Sequence, residues 1–66
     1  MADAEVTRRA RELIRQHGAG ALAKARQERE RDIALGGGLD VAAAWDRVYA
    51  EILRSLRAEE ASRSGG

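Results

Sequence analysis

Apolar side chains return every three or four residues along this chain rather than every second one, and that spacing predicts helices throughout. Val6, Ala10, Leu13, Ile14 and His17 share one helical face, and Val41, Trp45, Val48, Ile52 and Leu56 form a second, longer stripe. Between them Leu22, Ala25, Arg29 and Ile33 make a weaker stripe with an arginine inside it. Ala, Leu, Arg and Glu, all strong helix formers, fill the intervening positions. Proline is absent, and glycine gathers at Gly18 with Gly20, at Gly36 to Gly38 and at Gly65-Gly66, which marks two turns and a tail. The expected architecture is all-α: an antiparallel three-helix bundle with helices over Asp3 to His17, Ala19 to Leu35 and Asp40 to Glu60, the first two forming a hairpin. Residues 61–66 are expected to be a disordered tail. Asp3 and Asp40 stand where N-caps are expected, and Gly18 and Gly36 where left-handed C-caps are expected.

Composition narrows what such a molecule can do. Sixty-six residues make one domain, placed at residues 1–60, and its large apolar side chains are few. Without cysteine there is neither a disulfide nor a thiolate metal site to support a thin core, so association with a protein partner or a second copy is the expected remedy. Met1 to Arg15 is broken by charges and carries no signal-peptide run, and nowhere is there an apolar stretch of bilayer-spanning length. The expected address is therefore cytoplasmic, with no membrane engagement. Twelve basic and eleven acidic residues leave a net charge of +1, which weighs against the broad basic footprint of general nucleic-acid binding.

The strongest candidate surface is on the third helix. Tyr49 and Leu53 lie to one side of the Trp45 stripe, and together with Trp45 and Leu56 they widen it beyond what two short helices would readily cover. Tryptophan and tyrosine also dominate interface hot spots. Trp45, Tyr49, Leu53 and Leu56 are thus the expected partner-binding residues, flanked by Arg47, Glu51, Arg54 and Arg57. The competing expectation is that the first two helices bury the whole stripe.

A second candidate is the outer face of the first helix, where Arg8, Arg11 and Arg15 converge opposite the apolar stripe, either as a solvated face or as a grip for phosphate or an acidic partner. A helix-turn-helix built on the second helix is weakened because Glu28, Glu30 and Asp32 interleave with Lys24, Arg26, Arg29 and Arg31. Arg29 is expected to snorkel beneath its neighbours or to pair with a carboxylate of another helix or subunit.

Chemistry-bearing patterns are lacking. His17 is the lone histidine, suited to capping or packing at a helix end, with no companions at metal-ligand spacing. Thr7, Ser55, Ser62 and Ser64 have no base at a triad spacing, and Gly36 to Gly38 lacks the lysine of a phosphate-binding loop. No catalytic, metal or cofactor residues are expected. A terminal Gly65-Gly66 is found in conjugated modifiers, but those of ubiquitin type need strands that this sequence does not encode.

His17-Gly18, Ala21 and Ala25, followed by Trp45, Val48, Ile52 and Leu56, resemble the pattern of a group of short, uncharacterised helical proteins from bacteria. The resemblance implies no activity.

Overall fold

Residues 2–64 are described by a computed structural model, in which helix α1 spans Asp3–His17, a single 3-10 turn Gly18–Gly20, helix α2 Ala21–Ala34 and helix α3 Leu39–Ser64. The fold is all-helical, with no strand among the described residues. Four boundaries differ from expectation, the end of the second helix and the start of the third by one residue each, at Ala34 and Leu39. The second helix starts at Ala21 because Gly18–Gly20 wind into the tighter turn. The third runs past Glu60 to Ser64, since no glycine interrupts it before Gly65 and an Arg63–Glu59 pair at 3.3 Å bridges its last turns. Residues 61–64, expected in the tail, are thus helical, and Gly65-Gly66 lie outside the described residues.

Glycine and backbone, not aspartate, terminate these helices. The Ala2 carbonyl accepts the Glu5 and Val6 N–H groups, both at 3.0 Å, and Asp3 is already the first helical residue. Likewise the Gly38 carbonyl accepts from Val41 and Ala42 at 3.1 and 3.2 Å, which puts Asp40 within the first turn of α3. The two aspartates expected as caps therefore act through charge at the positive end of a helix dipole. At the end of α2, Gly36 takes φ +104° and donates to the Ile33 carbonyl at 3.1 Å, while Gly37 donates to the Asp32 carbonyl at 2.9 Å. This is the paired hydrogen-bond pattern of a left-handed glycine cap. Gly37 is needed for space: a Cβ there would lie 2.8 Å from the Asp32 carbonyl oxygen and 3.0 Å from Val41 Cβ. Gly18, at φ +55°, closes α1 by donating to the Ile14 carbonyl.

The core draws on every helix. Val6, Ala10 and Leu13 of α1, Ala21 and Ala25 of α2, and Trp45, Val48 and Ile52 of α3 are buried together, with Ile14, Leu22, Val41 and Leu56 packed against them. The buried alanines bring backbones close. His17, expected on this face, is exposed, because α1 ends there and the chain turns away.

Contacts between helices set their levels. Asp3 forms an ion pair with Arg47, so α1 begins about two turns into α3 and not beside its start. The ends of α2 and α3 that meet at the glycine turn therefore project beyond α1, and Leu35 and Leu39 flanking that turn are 76% and 89% exposed. At 1.5 Å per residue the 26-residue α3 is about 39 Å long and accounts for most of the 45 Å length of the molecule.

Candidate functional site

The four residues expected as one apolar surface are divided by the fold. Trp45 is only 3% exposed and turns into the core. Its indole N–H donates to Asp32 Oδ2 of α2 at 2.7 Å, and the Arg9 guanidinium of α1 lies over its ring, 5.5 Å from the centroid. One side chain of α3 thereby engages both other helices, through a hydrogen bond and a cation–π contact. Leu56 is half-buried against the core. Tyr49, 38% exposed, and the half-buried Leu53 remain at the surface.

Tyr49 lines a groove of about 250 Å³ between α2 and α3, together with Ala25, Arg26, Arg29, Trp45 and Asp46. Arg29 crosses it: its Nε lies 3.1 Å from Asp46 Oδ1. That Nε is shielded from solvent yet forms no hydrogen bond, so the contact is an ion pair whose N–H direction is not satisfied. The arginine that interrupts the α2 stripe is therefore paired with a carboxylate of another helix. By helical spacing Ile33 stands four residues beyond Arg29 on the same edge of α2, Leu22 stands seven before it, and Leu53 stands four beyond Tyr49 on α3. Ile33 is exposed and Leu22 half-buried.

Arg8, Arg11 and Arg15 do lie together. With Ala4, Thr7 and Glu12 they form one side of α1, the convex surface of a single helix and not a cleft between elements. Arg8 faces Glu5 at 3.7 Å and Arg15 faces Glu12 at 3.0 Å, so two of the three positive charges have a carboxylate beside them. Lys24 is similarly held by Glu28 at 3.2 Å.

Among the described residues no group of three His, Asp or Glu side chains is placed to hold a metal ion, and no helix is long and apolar enough to cross a membrane. Sequence reasoning missed the Trp45–Asp32 bond and the position of Asp46. Thirteen residues separate Trp45 from Asp32, beyond any helical repeat. The one available signal was Arg29 itself, a charge on an apolar stripe that needed a counter-charge. The chain matches no protein-family model, no curated protein and no solved structure.

Proposed function

We propose that this chain is a non-enzymatic helical interaction module, a single antiparallel three-helix domain that binds another protein or a second copy of itself along the outer α2/α3 groove. One observation carries the reading. Large apolar side chains, Ile33, Leu35, Leu39 and Tyr49, stay exposed in a molecule whose buried core holds eight residues, three of them alanine. A core this small leaves the fold marginal alone, and covering those side chains is the most direct way to add apolar burial. Helix pairing supports the bundle topology: the glycine turn folds α2 back on α3, the Asp3–Arg47 pair aligns α1 with α3, and all three helices contact one another.

In this mechanism Tyr49 and Leu53 supply apolar contact, while Arg26, Arg29 and Asp46 supply register. Trp45 contributes from beneath by fixing α3 against α2. The resemblance to short bacterial helical proteins supports a bacterial source without adding an activity.

The alternative reading is a nucleic-acid accessory protein gripping phosphates through Arg8, Arg11 and Arg15, whose clustering on one side of α1 is the observation in its favour. Their neighbouring glutamates and the net charge of +1 favour the protein-binding reading. Replacing Tyr49→Glu together with Leu53→Glu tests it: hydrodynamic size or detected partner contacts should fall, and a variant that keeps both unchanged contradicts the proposal.

A further inference from the structure

We infer that the occupant of the α2/α3 groove is a second copy of this chain, related by a two-fold axis running along the groove so that Arg29 of each copy meets Asp46 of the other. The inference rests on the interaction-module reading above and names its partner.

Levels across the groove carry the geometry. Arg29 and Asp46 touch, and because the glycine turn reverses the chain, residues on the two edges pair at a constant sum of positions. Arg26 stands level with Tyr49, Leu22 with Leu53, and Ile33 with Ala42. An axis along the groove places α2 of one copy over α3 of the other at the same levels. Every one of these pairs then recurs between copies: arginine on carboxylate, arginine on tyrosine, leucine on leucine, isoleucine on alanine. An isologous contact demands this self-complementarity, in which residue i meets j and j meets i.

Charge selects the same occupant. The groove is lined by charges of both signs, Arg26 and Arg29 with Asp46. A nucleic acid or a uniformly acidic protein surface would be opposed by Asp46, and a uniformly basic surface by both arginines. A second copy sets Arg29 on Asp46 and Arg26 on Tyr49, each of them twice. The Arg29–Asp46 pair is also open to exchange. With Nε buried and unbonded while the side chain is still 37% exposed, the terminal nitrogens of Arg29 are the donors an incoming carboxylate can reach, and Asp46 is 66% exposed. So open an ion pair holds little within one chain. Once a second copy excludes water it gains a second partner and strengthens.

Charge reversal separates contacts between chains from those within one. Arg29→Asp gives a chain with two acidic residues facing across its groove, and Asp46→Arg gives one with two basic residues. Neither can pair with itself in either sense, but each complements the other between copies. Sedimentation equilibrium should show the wild type dimerising with concentration and each single variant weakened by about tenfold or more. An equimolar mixture of the two variants should recover dimer to near the wild-type level, with native mass spectrometry showing the mixed species. Circular dichroism checks that both variants remain helical. If either loses helicity, Asp46→Ala, which introduces no repulsion, should still weaken the dimer several-fold. A wild-type chain that stays monomeric to millimolar concentration, variants that dimerise normally alone, or a mixture that fails to recover dimer would each overturn the inference. A monomer would leave the interaction reading intact for a different protein, whereas that reading fails separately if Tyr49→Glu with Leu53→Glu changes no contact.

Discussion

Trp45 shows how one residue can be correctly flagged and yet serve another purpose. Its place on the α3 stripe marks it as important, but the fold uses it internally, between Asp32 and Arg9. Trp45→Phe keeps most of the ring and removes the N–H donor, leaving the part-buried Asp32 carboxylate without that partner. The expected cost is about 1–2 kcal/mol in urea unfolding followed by circular dichroism. Ile52, fully buried at the centre of α3, should be the more severe site: Ile52→Ala should cost about 2–5 kcal/mol, enough to leave so small a domain largely unfolded. Exposed substitutions on the outer side of α1 should have far smaller effects. Arg8→Ala, Arg11→Ala and Arg15→Ala combined should leave retention on DNA or RNA at physiological salt no different from wild type. A marked loss of retention together with a shallower salt dependence would instead favour the phosphate-gripping alternative.

At the scale of elements, helix identity was legible because three properties agree: a helical repeat of apolar positions, strong helix formers between them, and glycine only at turns. What ends each helix was less legible. Asp3 and Asp40 have the right chemistry for caps, but Ala2 and Gly38 use their carbonyls instead, one position or more earlier. Periodicity reveals which face a helix buries and not its level against a neighbour, so the offset of α1 along α3, and with it the exposed turn at Leu35 and Leu39, could not be read from the chain. The surface groove was half-legible for a related reason: Tyr49 and Leu53 follow from the repeat on α3, while their companions on α2 follow only from the Arg29–Asp46 contact. The glycine turn makes a direct prediction. Gly37→Ala forces a Cβ against backbone and should lower stability by more than about 1 kcal/mol, whereas Gly38→Ala, with open space around it and no positive φ, should be neutral or stabilising by up to about 1 kcal/mol. Thermal melting of the two variants side by side reads the difference.

For the molecule as a whole, the thin core and the exposed apolar side chains belong to one account. Three short helices supply enough burial to define a fold, aided by close packing at Ala10, Ala21 and Ala25, but they leave the α2/α3 edge uncovered. In the proposed function, association at that edge adds apolar burial. Sedimentation equilibrium of the wild-type chain beside the Tyr49→Glu, Leu53→Glu variant, over micromolar to millimolar concentration, tests this most directly. The account predicts a mass that rises from 7.2 kDa toward twice that value for the wild type and stays at the monomer mass for the variant. Indistinguishable masses for the two proteins over the whole range would contradict self-association at this edge.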